Sequence, residues 1–89
     1  MDYVYENNRE ALIVETRGKK ISDPVVEQLV ALRKSKHMTQ QDIADATGMK
    51  RANIARIEGK KYAPTFDVLA RYAECLDVKL EMRIVPKNE

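Results

Sequence analysis

Apolar residues recur with a helical period through the middle of the chain and with a period of two near its C-terminal end. Val26, Leu29 and Val30 form one stripe, Val25 and Leu32 widen it toward a second neighbour, and Arg33 falls on the same stripe. Ser22-Asp23-Pro24 is a cap residue followed by a proline at the first helical position, and Lys34 to Met38 close the segment, which predicts a helix over about 24–36. Thr39 then caps a second helix, 40–47, with Asp42 three residues later in a capping-box variant. Ile43 is its apolar residue, and Ala44 is small enough in mid-helix for another helix to cross closely. Gly48 can take the positive φ that stops it, and Met49 is an apolar turn residue. In the third helix, 51–58, Ile54 and Ile57 sit at i, i+3, burying one face and leaving Arg51, Ala52, Asn53, Ala55 and Arg56 on the other. The loop Lys60-Lys61-Tyr62-Ala63-Pro64 follows Gly59. Thr65 caps a fourth helix, 66–76, in which Phe66, Leu69, Tyr72, Ala73 and Leu76 follow an amphipathic spacing.

The period then changes. Val78, Leu80, Met82 and Ile84 alternate with Lys79, Glu81 and Arg83, which predicts a strand over 78–85 that Pro86 ends. Toward the N-terminus, Tyr3-Val4-Tyr5 and Ala11-Leu12-Ile13-Val14 are short β-favouring runs separated by the turn-prone Asn7-Asn8. Strands, as a hairpin, are expected there, with a short helix through Arg9 to Thr16 as the rival. Gly18-Lys19-Lys20 reads as a turn or linker. A lone strand needs a partner for its backbone groups, so 78–85 is expected to pair with the N-terminal segment, with a second copy, or with another protein. The organisation expected is an N-terminal arm over 1–21, a helical domain over 22–77, and a C-terminal strand over 78–85 as candidate dimerisation element.

Eighty-nine residues, 44% hydrophobic and 34% charged, suit one ordinary globular domain without much core to spare. No apolar run is long enough to span a membrane, and the acidic, polar start is unlike a signal peptide. A single cysteine, Cys75, cannot form an internal disulfide, which fits a reducing cytoplasm, and it excludes a cysteine-rich metal finger. The net charge of +2 is too small to argue for a nucleic-acid partner by itself, but its distribution changes the picture. Four acidic residues against one arginine make 1–16 negative, whereas Lys50, Arg51, Arg56, Lys60 and Lys61 stand against Glu58 alone in 50–61. Residues 17–36 are also basic. A charge run is ordinarily a solvated face. Here it coincides with two short helices joined by a glycine turn, the description of a helix-turn-helix whose second helix enters a DNA major groove.

Thr39-Gln40, Ala44, Gly48, Ile54, the run Ala55-Arg56-Ile57-Glu58-Gly59 and Pro64-Thr65 together resemble the Xre-like, phage-repressor-type helix-turn-helix family, over roughly Val25 to Val78. That family contains phage repressors, small bacterial regulators and antitoxins of toxin–antitoxin pairs. Lys50 stands where it more often has serine or threonine, and Asp77 where a glycine usually ends the last helix. The resemblance implies a mainly α fold, a four-helix repressor-like helix-turn-helix domain, to which the patterns of the N- and C-terminal segments add short β-strands.

Candidate contacts follow. Arginine to guanine O6/N7 is the commonest specific base contact and alanine packs on a thymine methyl, so Arg51, Ala52, Ala55 and Arg56 are candidate base readers, the alternative being that both arginines touch only phosphates. Asn53 is a further candidate, for adenine or backbone. Gln40 starts helix 2, where free N–H groups favour a phosphate; the resemblance implies that it also braces the recognition helix. Lys50, Lys60 and Lys61 are expected phosphate clamps, and Tyr62 either offers its hydroxyl to a phosphate or packs on helix 4. Ala44, Gly48, Ile54 and Ile57 are structural. Arg33 and Glu58 both fall on apolar stripes, and because an unpaired buried charge is costly they are expected to pair; the resemblance implies the same pair. His37 reads as a surface residue and Cys75 as the edge of the core. No catalytic set, metal site or cofactor loop can be assembled, so an enzyme is not expected. The function expected is sequence-specific DNA binding by a cytoplasmic homodimeric repressor, with double-stranded DNA as partner. The alternative is an antitoxin that holds a toxin protein. Neither reading involves a membrane, and no separate effector domain is expected after the fourth helix.

Overall fold

The computed structural model describes residues 2–5, 12–15, 22–84, 86 and 87. Its order is β1 (Asp2–Tyr5), β2 (Leu12–Glu15), α1 (Ser22–Ser35), α2 (Gln40–Thr47), α3 (Arg51–Glu58) and α4 (Phe66–Cys75). The chain is mainly α, and four helices form its domain. β1 and β2 pair antiparallel, Asp2 opposite Glu15 and Tyr5 opposite Leu12. The Asn7-Asn8 turn, the Gly18-Lys19-Lys20 linker and the two ends of the alternative helix over 9–16 lie outside the described residues, while 12–15 of that alternative are strand β2.

Each helix starts and stops for a local reason. α1 begins at Ser22, so Ser22 is inside the helix and its buried hydroxyl has no hydrogen-bond partner among the described residues. Pro24 is tolerated because first-turn N–H groups have no intrahelical acceptor to lose. In α2 the capping box is complete: Asp42 N–H donates to Thr39 Oγ1 (3.0 Å) and Thr39 N–H to Asp42 Oδ2 (2.8 Å). Gly48 ends it at φ 77°, donating its N–H to Ala44 O. A Cβ there would meet nothing within 4 Å, so only the backbone opposes a side chain. Gly48→Ala should therefore cost about 1 kcal/mol, seen as a fall in Tm of about 4–8 °C; an unchanged Tm would refute the left-handed turn.

α1 and α4 end on left-handed residues that are not glycine. His37 (φ 59°) and Asp77 (φ 60°) each allow a pair of closing bonds: Met38 N–H to Arg33 O with His37 N–H to Lys34 O, and Val78 N–H to Ala73 O with Asp77 N–H to Glu74 O. A short polar side chain tolerates this conformation, which is how Asp77 replaces the expected glycine. After α3 the left-handed residue is Lys60 (φ 58°), one position beyond Gly59.

The core is built from every helix. α2 packs on α3 and α4, and α1 also packs on α3 and α4. Val26 and Leu29, Ile43 and Ala44, Ile54 and Ile57, and Leu69, Tyr72, Ala73 and Leu76 are all buried.

Two expectations are corrected. Residues 78–84 form no strand, because alternation prepares a face but only a hydrogen-bonded partner makes a strand. β1 and β2 pair with each other, and Val85 lies outside the described residues. Phe66, expected on the core stripe of α4, is exposed: it is the first residue of that helix, ahead of its buried residues Leu69, Tyr72 and Ala73.

Candidate nucleic-acid interface

α3 divides as its spacing requires. Ile54 and Ile57 are buried; Arg51, Ala52, Ala55 and Arg56 are exposed; Asn53 is half-buried. Lys50 caps the helix with extended backbone and no side-chain hydrogen bond, since an ammonium has no acceptor to offer the first N–H groups. The start of α3 is therefore electropositive from its own backbone as well as from Lys50 and Arg51.

The C-terminal end of α3 is fixed by one carboxylate. Arg33 of α1 donates from Nε to Glu58 Oε2 (2.8 Å) and from Nη2 to Oε1 (2.9 Å), a bidentate pair whose side chains are each 9% exposed. Gln40 of α2 donates Nε2–H to Oε1 (3.1 Å), and the Tyr72 hydroxyl of α4 donates to Oε2 (2.6 Å). Arg33 Nη1 also holds Met38 O (2.8 Å), tying the turn before α2 into the cluster. Burial alone would push the Glu58 carboxyl up, yet the bonds from Arg33, Tyr72 and Gln40 outweigh it and hold Glu58 below its ordinary value. The Arg33 guanidinium is raised chiefly by its bond to Glu58. Burial and the neighbouring Glu58 charge push the Tyr72 phenol up, so it stays a donor.

The basic residues are arranged less uniformly than the sequence suggests. Lys50 and Lys61 are exposed. The Lys60 ammonium is engaged at 2.6 Å with Glu27 of α1, which raises its pKa. Arg56 lies over the Tyr62 ring, 5.0 Å from its centroid, so the exposed Tyr62 carries a cation on its face. Sequence reasoning also missed Tyr72 on Glu58, Arg56 on Tyr62, and Arg71 Nη2 on Thr47 O (2.6 Å), which caps the end of α2 from α4. The first had a signal, because a tyrosine on an apolar stripe must find a partner for its hydroxyl. His37 is exposed, and Cys75 is half-buried with its thiol pushed up by burial and by Glu74. Among the described residues no group of His, Cys, Asp and Glu could hold a metal ion, and no helix is long and apolar enough to cross a membrane.

The helix-turn-helix family model matches residues 29–82, from the middle of α1 to beyond α4. The chain belongs to the Xre-like helix-turn-helix family. This is a family of DNA-binding regulators. Two family relatives are similar to the chain. The ImmF control region 10 kDa protein of Bacillus phage phi105 is 32% identical over 65 residues, 73% of this chain and 68% of that protein. Antitoxin HigA1 of Mycobacterium tuberculosis is 31% identical over 58 residues, 65% of this chain and 39% of the antitoxin. The match thus spans about two fifths of the antitoxin's length. No solved structure matches the chain significantly.

Proposed function

We propose that the chain is a sequence-specific DNA-binding transcriptional regulator, a repressor that inserts α3 into the major groove. One observation carries this: α3 presents an exposed face bearing Arg51, Ala52, Ala55 and Arg56 while Glu58 clamps its far end to the three other helices. Arg51 reads guanine, Ala52 and Ala55 meet thymine methyls, and Asn53 takes adenine or backbone. Arg56, held over Tyr62, takes a base or the flanking phosphate one turn further along. Lys50, Lys61 and Tyr62 hold phosphates. Lys60 joins them by leaving Glu27, a solvent-exposed pair that exchanges readily. Gln40 gives one N–H to Glu58, and its amide carries a second N–H for a phosphate at the start of α2. The protein acts as a homodimer on a two-fold operator with half-sites about one helical turn apart, dimerising through the segments outside 22–77.

Arg51→Ala should lose about 1–3 kcal/mol on the operator and relax preference at one base pair, whereas Lys61→Ala should weaken all DNA alike and lower the salt slope by about one. Selection of sites from random DNA supplies the operator, and titration at several salt concentrations reads both. Unchanged binding of operator and random DNA by Arg51→Ala would show that the reading face is misplaced.

The likeness to Antitoxin HigA1 favours a second reading, in which the chain neutralises a toxin protein and uses the same helix for autoregulation. An adjacent reading frame encoding a small basic protein that co-purifies with this one separates the two.

A further inference from the structure

The arginines of the four helices are used in two ways. Arg33 and Arg71 commit their guanidinium N–H groups to Glu58, Met38 O and Thr47 O. Among the described residues, the side chains of Arg51 and Arg56 make no hydrogen bond or ion pair. Arg56 nevertheless differs from Arg51 in being held. Its guanidinium carbon lies 5.0 Å from the centroid of the Tyr62 ring. A ring face attracts a cation without offering it a lone pair, so Arg56 is oriented while its N–H fork stays available.

The loop fixes the ring. Lys60, at φ 58°, turns the chain after Gly59, and Pro64 anchors the far end of the loop in the core. Tyr62 between them is exposed and returns over α3. At about 100° per residue, the buried pair Ile54 and Ile57 sets the centre of the exposed arc of α3 near Ala52. Arg56 lies within about 50° of that centre, on the face turned outward. Orientation matters differently to the two groups an arginine meets in a groove. A phosphate takes a cation from many directions and gains little from it. Guanine O6 and N7 accept both bonds only in the plane of the base, so an arginine already held has less freedom left to lose.

We propose that Tyr62 is the positioning residue for Arg56: its ring face sets the direction of the guanidinium and makes Arg56 a reader of one guanine. The ring acts here and the hydroxyl does not, so the phenol oxygen is left for a phosphate. The contact also strengthens on binding, because a cation over a ring gains as water leaves the interface. Tyr62 thereby contributes to discrimination between sites, whereas Lys61, its neighbour in the loop, contributes to binding of any DNA. This role rests on α3 being the reading helix, as proposed above.

Selection of sites from random DNA by the full chain and by Arg56→Ala identifies the base pair that Arg56 reads, as the one whose guanine preference disappears. Tyr62→Leu should weaken preference at that base pair by about threefold to thirtyfold, the strength of a cation–π contact as it loses its water. Other positions should keep theirs. Tyr62→Phe retains the ring, so it should weaken operator and random DNA together and hold that preference to within about twofold. In an Arg56→Ala background, Tyr62→Leu should change the operator-to-random ratio by less than about twofold. Each readout is a ratio on one sample, so any unfolded fraction cancels. Loss of the preference in Tyr62→Phe as in Tyr62→Leu overturns the proposal. So does a Tyr62→Leu that weakens operator and random DNA alike, or one whose effect persists without Arg56. If Arg56→Ala relaxes no position while Arg51→Ala relaxes its own, Arg56 touches only phosphate: the proposal falls and the reading by α3 stands. A parent chain that selects no site removes the reading by α3, and this role with it.

Discussion

Glu58→Ala is expected to destabilise the domain by about 3–5 kcal/mol, lowering Tm by at least about 12 °C. The loss is large because the carboxylate serves three helices besides its own. Without it the Arg33 guanidinium, 9% exposed, is left as an uncompensated charge, and Gln40 and the buried Tyr72 hydroxyl lose their acceptor. A domain of this size is worth about 5–10 kcal/mol in all, so the variant should be near the edge of folding at 37 °C. Urea unfolding of Glu58→Ala, Arg33→Ala and the double variant measures the coupling, and the double variant should lose clearly less than the sum of the singles. A loss below about 1 kcal/mol for Glu58→Ala would show that the pair is solvated in solution.

The same carboxylate gives the fold a pH signature. Burial acts to raise the Glu58 pKa, but its bonds to Arg33, Tyr72 and Gln40 leave it lowered. A carboxyl whose folded value lies below its unfolded value of about 4.3 contributes fully above that pH. Its contribution is lost as pH falls through the lower folded value. The difference in unfolding free energy between the parent and Glu58→Gln should thus be flat from neutral pH down to about 5 and shrink below about 4. A difference that grows on acidification would reverse the assignment.

Ile54→Ala is the second large effect, at about 2–5 kcal/mol. Ile54 is 0% exposed, as is Ile43 of α2, and the core around them joins all four helices, so truncation leaves a cavity with little freedom to collapse. Ile54→Val should cost only about 0.5–1.5 kcal/mol. Denaturant titration checks both, with the midpoint falling at an unchanged m-value. Because Arg51, Ala52 and Ala55 are untouched, the folded fraction of Ile54→Ala should keep the parent's operator preference. A change of preference without a loss of stability would place Ile54 on the reading face.

How legible the chain is depends on whether each feature is set locally. The α2 cap, the Gly48 stop and the two faces of α3 were readable because Thr39, Asp42, Gly48, Ile54 and Ile57 act within one or two turns. The Arg33–Glu58 pair spans 25 residues and was still readable, since two charges on apolar stripes have few other ways to be buried. Tyr72 is the counter-example: its place on a stripe explained its ring and concealed its hydroxyl. The stacking of Arg56 on Tyr62 had no pattern to announce it, because it depends on how Lys60, in its left-handed conformation, redirects the loop. The strand expected over 78–85 failed for a different reason. Alternation specifies which side chains share a face and leaves open whether a partner exists in the same molecule.

The separation of the two faces of α3 has a consequence for how such a protein changes. Glu58, Ile54 and Ile57 are committed to the fold, whereas Arg51, Ala52, Ala55 and Arg56 are exposed, where substitutions typically alter stability by about half a kcal/mol or less. On the proposed reading face, the letters that choose an operator can therefore be rewritten while the scaffold stays as it is. Under that proposal, lineages, or engineers, can exchange those four positions between related domains and expect new addresses on DNA from an unaltered protein.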